Sequence, residues 1–133
     1  MTSQTISKPA IAVSQNLMRM LCDDIDETKF SDRLGTTINH PAFVLGHTAY
    51  YAGVCIELLG GSVSFNPDEA GLYEIGVECS DDASTYPDKS FCIEHFESRC
   101  NEAAKFIDSC EPSVLESSAK DTPFAKRFDT LGE

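Results

Sequence analysis

The chain contains no tryptophan, only three histidines, and ten Lys and Arg residues against 22 Asp and Glu. The resulting formal charge of −12 repels phosphate backbones and anionic lipid, so no nucleic acid and no membrane surface is expected as a partner. No stretch approaches the roughly 20 apolar residues needed to span a bilayer. The opening residues, MTSQTISKPAIAVSQ, lack the basic head and continuous apolar run of a secretory leader. A cytoplasmic location is the expectation. The six cysteines, Cys22, Cys55, Cys79, Cys92, Cys100 and Cys110, include no Cys-x-x-Cys pair. That absence argues against a zinc site built from cysteines alone and against a dithiol redox motif, and it favours reduced, partly buried thiols. The acidic group Asp23, Asp24, Asp26 and Glu27 is not accompanied by a glycine-turn calcium loop, and reads as a solvated helix end.

What is present is enough for one core. With 133 residues, 41% of them apolar, the chain reads as a single domain over residues 1–133. Three segments carry helical periodicity. In residues 9–24, Pro9 suits a first helical turn and Val13, Leu17, Met20 and Leu21 recur at three- and four-residue steps, so they form the expected core-facing row. Residues 39–61, NHPAFVLGHTAYYAGVCIELLGG, open on a cap at Asn39 or His40 with Pro41 in the first turn, and close on a glycine pair. In residues 88–110 the row Ile93, Phe96, Cys100, Ala103, Ile107 and Cys110 makes a heptad-like seam, capped by Asp88 or Ser90. Glu94, Glu97, Arg99, Glu102 and Lys105 are assigned to its flanks and outer face, and His95 to an exposed or boundary position.

Between the second and third helices, residues 60–89 form a long segment. Tyr73, Ile75, Val77 and Cys79 alternate with polar residues there, a strand-like period with no evident partner strand. An ordered loop over one end of the bundle is expected. Residues 111–129 read as a polar connection. Thr130 with Glu133 has the spacing of a capping box, which reads as the start of a fourth helix. Three helices and the beginning of a fourth give an all-α, antiparallel up-down bundle, and the expectation that the chain is incomplete at its C-terminus.

His47 is the ionisable residue that matters most. It shares a helix face with Phe43, Tyr51, Val54 and Leu58, so it is either a hydrogen-bonded core histidine or a ligand. His40 has a plain structural role.

The segment HPAFVLGH, followed by Tyr50-Tyr51 and by Leu58-Leu59-Gly60-Gly61, resembles the DinB-like family of four-helix bundles, a stress-induced family. Asp81-Asp82, Tyr86-Pro87-Asp88-Lys89 and the closing TPFAKRFDTLGE extend the resemblance. It implies a divalent metal, zinc or nickel, in an open pocket. His47 stands at the position of the family's helix-two ligand, and the remaining ligands, an HxxxH pair on helix four, are expected beyond Glu133. It also implies a thiol-dependent S-transferase or related hydrolase acting on a small-molecule substrate, with a low-molecular-weight thiol as co-substrate. The alternative is a non-catalytic bundle that acts by homo-oligomerisation, as a dimer for example, or by binding a partner helix.

Overall fold

A computed structural model describes residues 3–132, with side chains from residue 7 onward. The fold is all-α, with helices α1 (Ser3–Asp23), α2 (Pro41–Leu58), α3 (Glu69–Tyr73), α4 (Lys89–Ser109) and α5 (Pro112–Leu115). No strand occurs among the described residues; an isolated antiparallel bridge joins Ser118 and Thr130.

Local chemistry fixes the ends of α2. His40 is the N-cap, its Nδ1 accepting the Phe43 N–H at 3.1 Å, and Pro41 occupies the first turn, where no N–H is needed. At the other end Gly60 adopts φ +90°, the Gly60 N–H reaches the Glu57 carbonyl and the Gly61 N–H reaches that of Ile56. These are the paired bonds of a Schellman cap. Helix α4 starts at Asp88, whose Oδ1 accepts the Phe91 N–H at 2.8 Å.

Helix α4 is the floor of the molecule. Both α1 and α2 pack on it, and they barely touch one another. The core between α2 and α4 holds Phe43, Leu45, Ala49, Phe96 and Cys100, with Phe30 from the first connection and Tyr73, Cys79 and Tyr86 from the long one. Residues 60–89 form the ordered, strandless segment expected, and it contains α3. Two glycines of α2 receive its rings. A Cβ at Gly46 would overlap the Tyr73 ring, and one at Gly53 would lie 2.7 Å from Phe65 Cε1.

Four expectations are corrected. Helix α1 does not start at Pro9 but runs from Ser3, with Pro9 inside it. Tertiary contact explains the extension: α1 reaches α5, and Lys8 pairs with Asp108 at the end of α4. Nor do Val13, Leu17, Met20 and Leu21 face the core. They are 66%, 49%, 62% and 56% exposed, because α1 turns Ile11, Met18 and Cys22 toward the core instead. Gln15 fixes that rotation by donating to the Glu97 carbonyl and to Asn101 Oδ1, both at 3.1 Å, and Arg19 adds a pair with Glu97. Arg99, assigned to the outer face, is 5% exposed. Thr130 opens no helix within the described residues. The Ala119 N–H bonds the Asp129 carbonyl and the Leu131 N–H that of Ser117, which makes the Ser118–Thr130 bridge. Glu133, the other half of the expected capping box, lies outside the described residues.

Candidate functional site: an apolar groove beside His47

Because α1 and α2 splay apart on α4, a groove of about 820 Å³ opens between them. Ala10, Ile11, Ser14 and Met18 form one wall, and Val44, His47, Thr48, Tyr51, Ala52 and Cys55 the other. Phe96, Cys100, Ala103 and Ile107 form the floor, and Pro123, Phe124 and Arg127 close one end. The seam expected on α4 is thus divided. Phe96, Cys100 and Ala103 are buried yet reach the groove floor, and Ile107 is half-buried there. Burial pushes the Cys100 thiol up to about 11, with the Glu97 carboxylate adding to the shift, so it sits on the groove floor as a neutral, weakly nucleophilic group.

His47 sits half-buried on the α2 wall. Its ring stacks on Phe43 at 5.9 Å and meets Tyr51 at 4.9 Å. Nδ1 lies 2.7 Å from the Tyr73 carbonyl, and since a carbonyl oxygen can only accept, Nδ1 carries the proton. In the neutral ring Nε2 therefore holds the lone pair. Tyr51 is oriented in turn, its hydroxyl accepting the Ile75 N–H at 2.9 Å. A backbone carbonyl on Nδ1 is the support that metal-bound imidazoles commonly have. Zinc needs three or four donors. Among the described residues no three His, Cys, Asp or Glu side chains come together to hold a metal ion. The described residues do not by themselves fit zinc or nickel.

The structure assembles a second cluster at the far side of α2. Glu69 on α3, only 4% exposed, puts Oε1 against His95 Nε2 and Oε2 at 3.6 Å from Arg99 Nη2. The Asn66 N–H also donates to Oε2 at 3.2 Å. Arg99 further reaches the Ser64 carbonyl at 3.3 Å and Glu102 at 3.4 Å, and its guanidinium stands 5.1 Å from the Phe65 ring centre. His95 is thus a boundary residue with a buried partner, stacked on Phe91 at 5.5 Å. Oε2 is engaged, whereas Oε1 and His95 Nε2 lie close but form no hydrogen bond among the described residues, so it is through Oε2 that the cluster fastens the 60–89 segment to α4. The cavity beside it, about 340 Å³ and lined by Tyr73, Tyr86, Phe91, Cys92 and His95 among others, is smaller than the groove. Burial pushes the Cys92 thiol up to about 12, which removes it as a nucleophile at neutral pH.

None of the six cysteines is in a disulfide. No helix among the described residues is long and apolar enough to cross a membrane.

The fold and site together define an all-α protein with an open apolar groove and one oriented imidazole on its wall. No protein-family model, curated protein or solved structure matches the chain.

Proposed function

We propose that the protein is a binding module whose α1–α2–α4 groove receives an amphipathic helix, completing an up-down four-helix bundle of DinB-like type. One observation carries this reading: the groove lies where two helices share a third as floor and leave the fourth position open. Its volume, about 820 Å³, is within the range of ligand sites, and its lining residues include no Asp, Glu or Lys, His47 and Arg127 being the basic side chains among them. Along α2 the lining runs over residues 44–55, about 16 Å at 1.5 Å per residue, or three helical turns. An apolar helix of that length fills it as an element of the bundle would. The test is binding of the apolar dye anilinonaphthalene sulfonate to dilute protein. Bright fluorescence, strongly reduced by Thr48→Arg on the groove wall, is expected; no dye binding, or binding indifferent to that change, overturns the reading.

A second reading, the metal-dependent transferase, is favoured by the Nδ1–H bond from His47 to the Tyr73 carbonyl, which leaves Nε2 as a donor. It requires the helix in the groove to bring the remaining ligands. Calorimetric titration with zinc or nickel of the chain mixed with an amphipathic helical peptide that carries an HxxxH pair, repeated for His47→Ala, separates the two. Tight binding that disappears with His47 supports the metal reading, and equal or absent binding removes it.

A further inference from the structure

We propose that the helix occupying the groove is α1 of a second copy of this chain, in a reciprocal two-fold dimer. The inference rests on the groove being a helix-receiving site and names its occupant.

The first argument is the width of the apolar surface on α1. A surface helix needs an apolar arc of about 100° to pack on its own core. Helix α1 meets that need with Ile11, Met18 and Cys22, and then carries a second arc, Val13, Leu17, Met20 and Leu21, which is left exposed among the described residues. The two arcs are joined. Ala10 and Ser14 line the groove, and the same row continues at three- and four-residue steps through Leu17 and Leu21. The groove and the bare stripe are therefore one continuous surface, and each protomer offers both a seat and a helix to fill it. An interface of that kind is self-complementary and closes on itself.

Length agrees. From Ala10 to Leu21 the stripe covers the same number of residues as the α2 wall from Val44 to Cys55, about 16 Å in each case.

Charge selects the same face. Two copies that each carry −12 repel over most approaches. Residues 9–18 of α1, PAIAVSQNLM, contain no charged side chain, and the flanking Lys8 and Arg19 are basic. Arg127 at the end of the groove is basic as well. This is the surface on which two acidic chains can meet without stacking carboxylates. Two reciprocal helix-in-groove contacts, each three turns long, bury twice the area of one, which works toward the roughly 800 Å² per partner found in stable complexes.

Sedimentation equilibrium over a range of concentrations tests the proposal. Wild type should show a reversible monomer–dimer equilibrium, and its dye fluorescence per chain should fall as dimer forms. Leu17→Glu on the stripe and Thr48→Arg on the groove wall should each weaken association on the order of a hundredfold, because each buries an unpaired charge twice per dimer. An equimolar mixture of the two variants should recover dimer. In the mixed pair one contact is unaltered and the other opposes Glu to Arg. Both positions are exposed, and circular dichroism checks each fold; Leu21→Glu in the same row replaces Leu17→Glu if that variant loses helix. Wild type that stays monomeric, a dimer indifferent to both changes, or a mixture that does not recover association overturns the proposal. Monomeric wild type that still binds dye in a Thr48→Arg-sensitive way leaves the groove reading standing with another occupant, whereas monomeric wild type without dye binding removes both.

Discussion

His40 shows how one side chain can serve two purposes that conflict at low pH. As the cap of α2 it must offer Nδ1 as an acceptor to the Phe43 N–H, which only the neutral ring with its proton on Nε2 can do. It is 2% exposed, packs edge-on against Tyr86 at 4.5 Å, and its Nε2 has no hydrogen-bond partner among the described residues. Burial lowers its pKa below the ordinary histidine value; the Ser80 and His40 backbones oppose the shift, and the nearby Arg33 guanidinium reinforces it. A folded-state pKa below the unfolded one means the unfolded chain binds the proton more readily, so the stability from His40 is complete above about pH 6.5 and is lost as pH falls through the folded value. His40→Asn keeps a good capping oxygen and cannot titrate. The variant should be less stable than wild type at neutral pH, by about 1 kcal/mol for the lost ring packing, but its stability should fall less steeply between about pH 7 and pH 5. Urea midpoints across that interval measure this. Parallel curves would show that the imidazole does not set the slope. His47 differs, because its Nδ1 donates to the Tyr73 carbonyl instead of accepting.

At the scale of elements, α2 is shaped by what it must admit. Gly46 and Gly53, seven residues apart on one face, leave room for Tyr73 and Phe65 of the 60–89 segment. Gly46→Ala gains about 1 kcal/mol of helix propensity. It also drives a methyl into the Tyr73 ring, an overpacking that costs about 1–3 kcal/mol and displaces the residue whose carbonyl holds His47. A net loss in thermal unfolding is expected. Gly71→Ala in α3 meets no atom within 4 Å and should stabilise by about 0.5–1 kcal/mol. Signs the other way round would mean that the α2 glycines are not seats. The limits of α2 were legible in the sequence because their signals are local: a capping imidazole, a proline in the first turn, a glycine pair at the end. The all-α class and the partly buried cysteines outside disulfides were legible for the same kind of reason. The rotation of α1 was not, because two apolar rows compete on that helix, and Gln15 and Arg19 decide between them through partners on α4 far along the chain. Nor was the Glu69–Arg99 pair, although a signal existed. Cys92, Phe96, Arg99 and Ala103 form a row as regular as the seam, and an arginine in an inward row demands a carboxylate. Which carboxylate depends on the path of the long segment, and no local pattern encodes that. The helix face that His47 shares with Phe43 and Tyr51 was legible from spacing, and its ring meets both of theirs, while the groove beside it exists only once three helices are placed.

For the molecule as a whole, charge sets the terms on which it folds. Twenty-two acidic side chains against ten basic ones leave most carboxylates facing only each other across the surface. The surface ion pairs, such as Lys8–Asp108 and Arg19–Glu97, are few and individually worth no more than about 1 kcal/mol. Salt weakens those pairs but also screens the self-repulsion of the compact state, and the two effects have opposite signs. At about 0.01 M ionic strength the screening length is near 30 Å, comparable to the length of α1 or α4, so carboxylates repel across the entire molecule. At about 0.15 M it falls to about 8 Å, and only neighbours still interact. The buried Glu69–Arg99 contact lies out of reach of the salt and keeps its strength in both conditions. The unpaired carboxylates outnumber the surface pairs, so repulsion wins. The thermal midpoint of dilute wild-type protein should therefore rise as sodium chloride is added over that range at neutral pH. Leu17→Glu, kept monomeric, should show at least as large a rise, which separates the effect on the fold from any effect on association. A midpoint that falls with salt would mean that the surface pairs, few as they are, outweigh the repulsion of a chain at −12.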